Sequence, residues 1–159
     1  MDDDITLVLG ATGKTGRRVA ARSRLRGARV RAASRSSATR FDWSDQAGWD
    51  AALEGAAAVY VVPPSAPGPV HEFVARAEKA GVQRLVLLSG HGADTWGDSA
   101  FGRDMRDAEA AVRSSRLEWT VLRPANFAQN FDGSSPRSVE AASQRGGGSS
   151  LPVDAAVQQ

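Results

Sequence analysis

The chain contains no cysteine, which excludes disulfides and thiolate chemistry. It has only two histidines, too few without cysteine to suggest a structural zinc site, so no metal is expected. No apolar run approaches the roughly 20 residues that a bilayer span needs, so no membrane partner is expected. The opening, Met1-Asp2-Asp3-Asp4, is acidic, unlike a secretory leader, and a cytoplasmic location follows as the expectation. No internal repeat is found.

What is present fits a folded domain. The chain has 159 residues, 42% of them apolar, enough for one domain with a real core. Net charge is only +2, although the isoelectric point is about 9.6. The basic side is almost all arginine and is crowded early: Arg17, Arg18, Arg22, Arg24, Arg26, Arg29, Arg31, Arg35 and Arg40. Clustered arginine can bind nucleic acid. No aromatic platform is interleaved with it, so a solvated face with one or two phosphate ligands is favoured, and no nucleic acid is expected.

One stretch organises the rest: Gly10-Ala11-Thr12-Gly13-Lys14-Thr15-Gly16. The apolar run Ile5 to Leu9 leads into it, and a helical segment of about Lys14 to Arg26 follows, stopped by Gly27. Glycines let the backbone turn tightly and approach a ligand closely, because no Cβ intervenes. The N–H groups opening the next helix are unpaired and carry partial positive charge, so a pyrophosphate fits there. This is the pattern of a dinucleotide site. A tight turn with no ligand would look the same locally. A mononucleotide phosphate loop is rejected, because it needs glycine where Val8 stands.

Further strands are expected at Arg29–Ser34, Thr39–Phe41, Ala57–Val62, Arg84–Ser89 and Trp119–Arg123. Helices are expected over Gln46–Leu53, Val70–Ala80, and from Phe101 to about Ser115. Arg84–Ser89 is a near-continuous apolar run, as for a strand covered on both faces. Strands alternating with helices predict an α/β fold: a Rossmann-like, doubly wound parallel sheet in three α/β/α layers. Residues 1–131 form this domain, and 132–159 a flexible Ser/Gly-rich tail. Within that tail, Ser138–Gln144 could form a short helix.

Ligands in such sheets bind at the carboxyl ends of strands, so candidate residues are sought there. Strand two ends Ser34-Arg35-Ser36-Ser37, with no carboxylate for a ribose 2′-hydroxyl. Arginine and hydroxyls suit a 2′-phosphate, and Lys14 could add a second charge. NADP(H) is therefore expected over NAD(H). Asp42 could accept from the adenine amino group or simply cap the turn before Ser44-Asp45.

Taken together, GATGKTG at Gly10–Gly16, Ser34-Arg35, Arg40-Phe41-Asp42-Trp43, Val61-Val62-Pro63-Pro64, Leu87-Leu88-Ser89 and Glu118-Trp119-Thr120-Val121-Leu122-Arg123-Pro124 resemble the NmrA-like branch of the atypical short-chain dehydrogenases. Within it, Phe41-Asp42-Trp43 with the later Pro-Pro looks most like the agroclavine/festuclavine dehydrogenase-like reductases. The resemblance covers roughly Ile5 to Phe131. It implies a Rossmann fold, NAD(P)H binding, and hydride transfer to a small acceptor of quinone, azo or iminium type. Some relatives bind the cofactor as regulators and catalyse nothing. By the same resemblance the cofactor-binding set is Gly10, Thr12, Gly13, Lys14, Thr15, Gly16, Ser34, Arg35, Asp42, Trp43, Val62, Pro63, Pro64, Ser89, Gly90, Pro124, Asn126 and Phe127. Asn126 and Phe127 would sit near the nicotinamide, and Glu109 matches a glutamate common in the preceding helix.

Two departures bear on catalysis. Ordinary short-chain dehydrogenases use a Tyr-x-x-x-Lys pair, but here the single tyrosine is Tyr60 and Pro64 stands where the lysine would be. Ser89 and His91 are the remaining catalytic candidates; Ser89 reads as well as a strand-terminal turn serine, and His91 reads rather as an exposed loop histidine than as a proton donor. The second departure is length. Relatives continue well past the sixth strand to build the substrate pocket, so this chain looks like a truncated or diverged form. The partner expected is a small-molecule substrate or none, and a non-catalytic NADP(H)-binding sensor is the alternative to a reductase.

Overall fold

The computed structural model describes residues 4–90, 93 and 99–124, and the backbone of 141–146 and 157–158. Eight strands form one sheet: β1 Ile5–Leu9, β2 Arg29–Ser34, β3 Thr39–Arg40, β4 Ala56–Val61, β5 Arg84–Leu88, β6 Glu118–Pro124, β7 Ala141–Gly146 and β8 Val157–Gln158. Their order is β3-β2-β1-β4-β5-β6-β7-β8. The first six are parallel. β7 runs antiparallel to β6, and β8 antiparallel to β7. The order 3-2-1-4-5-6 is that of the Rossmann fold, with its direction reversing between β1 and β4.

The helices are α1 Lys14–Leu25, α2 Trp49–Leu53, α3 Pro69–Lys79 and α4 Ala100–Arg113; a 3₁₀ turn, Gln46–Gly48, precedes α2. The sheet's pleat sorts their contacts. Leu7, Leu9, Val59, Val61, Leu85, Leu87 and Val121 face α2, α3 and α4 in one large core. Val8 and Tyr60 face the other way, toward Ala20 of α1. Phe73, at the centre of the apolar stripe of α3, is fully buried. It meets Phe41, Trp43 and Trp49 edge-on at centroid distances of 5.5, 5.3 and 5.6 Å. Such pairs add about 0.5–1.5 kcal/mol each beyond area burial.

Three expectations need correction. β5 is not sealed equally on both faces. Leu85 and Leu87 are fully buried, whereas Val86 and Leu88 are half-buried, because α1 is the only described helix on that side. Of the helix expected over Ser138–Gln144, Ala141–Gln144 belong instead to a strand, Ala141–Gly146, paired with β6, and Ser138–Glu140 lie outside the described residues. That segment lacks any apolar periodicity of its own, and pairing decides its conformation. The expected Gln46–Leu53 helix is a 3₁₀ turn followed by a short α-helix.

Candidate dinucleotide site

The glycine turn is built by close approach of backbone to backbone. Gly10 has φ +62°, a left-handed conformation that favours glycine. The Gly13 N–H closes the turn on the Gly10 carbonyl at 2.9 Å, and Ala11 N–H pairs with Ala33 of β2 at 3.1 Å. Gly16 is needed for packing: a Cβ there would lie 2.7 Å from the Gly10 carbonyl carbon and closer still to its oxygen. This glycine lets α1 sit against the turn.

α1 starts at Lys14 with Gly13 as its N-cap, and no side chain caps it. Its first-turn N–H groups have no carbonyl one turn back to bond. They open onto a cleft of about 960 Å³ at the carboxyl ends of β1, β2 and β4. Gly10, Thr12, Gly13, Lys14 and Thr15 form its floor. Behind the turn, burial pushes the Tyr60 hydroxyl of β4 above its usual pKa, and the neighbouring Thr15 side chain offsets only part of this.

The β2 end supplies a second wall with Ser34, Arg35 and Ser36. Ser34 is buried, and its hydroxyl meets the Ser37 hydroxyl at 2.6 Å while accepting from the Ser36 N–H at 3.2 Å. These bonds shape the turn that presents Arg35. Arg35 and Lys14 are both exposed in the cleft and, among the described residues, neither is paired. The lining holds one carboxylate, Asp42, whose Oδ1 accepts from the Ser44 N–H at 2.9 Å. Asp42 therefore caps its turn and also faces the cleft. Trp43 forms the next part of the wall, its indole N–H donating to the Val62 carbonyl at 3.0 Å. Val62 and Pro63 complete the lining from the predicted set; Phe41 and Ser65 line it as well. Ser65 was missed, its only sequence signal being its place just after Pro63-Pro64.

The other predicted residues lie apart from this lining. Gly16 is buried behind the turn, and Pro64 follows the wall without lining it. Ser89, Gly90 and Pro124 stand at the ends of β5 and β6. The Ser89 hydroxyl is buried and donates to Glu109 at 2.6 Å. His91, Asn126 and Phe127 lie outside the described residues. The early arginines Arg17, Arg18, Arg22 and Arg24 occupy exposed positions of α1. Among the described residues no metal-ligand cluster occurs and no helix is long and apolar enough to cross a membrane.

The site fits a dinucleotide on its own geometry. It has an uncapped helix start over a glycine turn, two unpaired cations, and a cleft at the sheet's switch point. Fold and cleft together define a dinucleotide-binding α/β domain. The chain belongs to the NAD(P)H-binding family, whose model matches residues 10–155. It is 35% identical over 142 residues to an uncharacterized oxidoreductase, YesF, of Bacillus subtilis, covering 82% of this chain and 48% of that protein. It is 37% identical over 137 residues to a (4-alkanoyl-5-oxo-2,5-dihydrofuran-3-yl)methyl phosphate reductase of Streptomyces griseus, covering 78% and 48%. Among solved structures it resembles an NADPH-dependent quinone oxidoreductase from Escherichia coli complexed with NADPH. That match has a TM-score of 0.66 and 23% identity, and covers 80% and 50% of the two chains; at that identity it speaks for the fold. The chain spans about half the length of the curated relatives it matches.

Proposed function

We propose that the domain binds NADP(H) in preference to NAD(H) and serves the transfer of hydride to a small organic acceptor of quinone, azo or iminium type. The observation that carries the cofactor preference is the unpaired Arg35 at the end of β2, where a carboxylate would select a 2′-hydroxyl. Lys14 stands in the same cleft, so two cations are available to a 2′-phosphate. The first-turn amides of α1 take the pyrophosphate. The carboxylate of Asp42 faces the adenine side, and Trp43 walls it. The reduced nicotinamide supplies the hydride when bound; the chain's part is to bind and orient it. The activity in the name of the Streptomyces reductase supports the reductase class.

A second reading, a non-catalytic NADP(H)-binding sensor, is favoured by one observation. The proton of Ser89 is committed to Glu109, and the sequence offers no Tyr-x-x-x-Lys pair. Titrating the purified protein with NADPH and NADH, then adding a panel of quinones, tests both. Tighter NADPH binding with quinone-dependent oxidation is the expected result. Binding without turnover selects the sensor, and tighter binding of NADH refutes the preference.

A further inference from the structure

One buried charged cluster takes no part in the cleft. Glu109 lies on α4 with only 4% of its surface exposed. Its Oε1 accepts from Ser89 Oγ at 2.6 Å and from Arg123 Nε at 2.8 Å; its Oε2 accepts from Arg123 Nη2 at 2.6 Å. Arg113, one turn further along α4, brings a second cation 3.7 Å from Oε2. The Ser89 N–H donates to the Leu122 carbonyl at 2.8 Å. One carboxylate therefore joins three elements: α4, the end of β5 and the end of β6.

As a stabilising device alone, such a cluster has little advantage. Buried ion pairs can often be replaced by apolar residues without loss, although removing one partner is costly. Its location and shape point to more. The planar arginine fork fixes angle as well as distance. It sits at the carboxyl edge of the parallel sheet, where ligands bind. Along the strand order it is three strand spacings from β2, about 14 Å. A dinucleotide anchored at β1 and β2 reaches that way with its second half. Serine has a single proton, and here it goes to Glu109. Toward any bound molecule Ser89 offers lone pairs only.

We propose that Glu109 is a positioning residue for the nicotinamide side of the site, fixing Ser89 as a hydrogen-bond acceptor and setting the spacing of the β5 and β6 ends through Arg123. The ligand side of this inference rests on the dinucleotide reading above; the geometric side does not. A ligand group meeting Ser89 must donate, as an amide N–H or hydroxyl does. A bare carbonyl gains no polarisation from it.

The test uses Glu109→Gln in the full chain, with two ligands and one ligand-free measurement. NADPH spans both ends of the site, whereas 2′,5′-ADP lacks the nicotinamide half. The expected result is 2′,5′-ADP affinity within about twofold of wild type and NADPH weakened at least about fivefold, roughly 1 kcal/mol. Amide hydrogen exchange should quicken at residues 85–90 and 119–124 and stay unchanged at residues 5–34. Equal losses for both ligands, or no loss for either, overturn the nicotinamide-side role, even if exchange quickens. Should wild type bind neither ligand, the dinucleotide reading falls and exchange alone decides: unchanged exchange overturns the positioning role, and local quickening upholds it. If Glu109→Gln does not fold, Arg123→Lys keeps the charge, loses the fork, and carries the same readouts.

Discussion

Replacing Arg35 with alanine isolates the 2′-phosphate from the rest of the cofactor. The side chain is exposed and, among the described residues, unpaired, so its removal breaks no contact that the fold uses. A hydrogen bond to a charged group contributes about 1.5–3 kcal/mol, or roughly ten- to hundredfold in affinity. Exposure to solvent favours the lower end, near tenfold, because water and salt screen the pair. NADH has no 2′-phosphate, so its affinity should barely move. Paired titrations of wild type and Arg35→Ala with NADPH and NADH, followed by nicotinamide fluorescence, read the selective loss directly. The loss should shrink between about 50 mM and 500 mM salt, as the Debye length contracts below about 5 Å. Lys14 lines the same cleft, so Arg35→Ala should keep part of the preference and the double change with Lys14→Ala should abolish it. Equal losses for both cofactors would show that Arg35 acts through the turn of Ser34 to Ser37, and the phosphate argument would fail.

Gly13→Val and Gly16→Ala should separate binding from folding. A Cβ at Gly13 lies 3.2 Å from the Gly10 oxygen, so the valine variant should fold yet bind cofactor more than about tenfold weaker, roughly 1.4 kcal/mol, in a direct titration. At Gly16 the clash is with backbone that cannot yield, and urea denaturation should show a loss of about 1–3 kcal/mol or more. Phe73→Ala removes a fully buried ring from the aromatic cluster and should cost about 3–5 kcal/mol by the same assay. Glu109 carries a pH signature. Burial alone would raise its pKa, but the hydrogen bonds from Arg123 and Ser89 and the charges of Arg123 and Arg113 outweigh this and hold it below the ordinary 4.5. A depressed folded-state pKa contributes stability above the ordinary value that is lost as pH falls through the folded one. Thermal melts should therefore weaken with acid in wild type, and Glu109→Gln should flatten that part of the profile; an unchanged acid limb would contradict the assignment.

The sheet was legible because its strands are short apolar runs bounded by glycine, proline and serine. β1 and β2 start and stop where the sequence predicts, and β4 and α3 are each displaced by one residue. The glycine turn and the β2 end were readable because their chemistry is local: a turn needs its glycines, and a strand end needs its charge. What could not be read was long-range. Nothing in the spacing of Trp43 and Val62 says that they bond. Glu109 left a trace that only the family resemblance used. It occupies the buried stripe of α4 beside Ala108 and Val112, and a carboxylate there requires a partner. The partner, Arg123, could not be named from sequence, because it lies 14 residues away on another element. Ala141–Gln144 was misread because a polar segment takes its conformation from the strand it pairs with.

The indole of Trp43 gives the domain an optical handle. Its ring forms part of the cleft wall while its N–H is tied to Val62, so the chromophore is held still beside the cleft. Trp49, one layer below at 5.6 Å, lies wholly inside the core, and Trp119 packs under Arg113 on β6. Among the described residues, emission is thus divided between one indole on the cleft wall and two, Trp49 and Trp119, that do not line it; Trp96 lies outside the described residues. Trp43 is thus a label-free probe for a ligand entering the cleft, and a Trp43→Phe variant identifies its share of the signal.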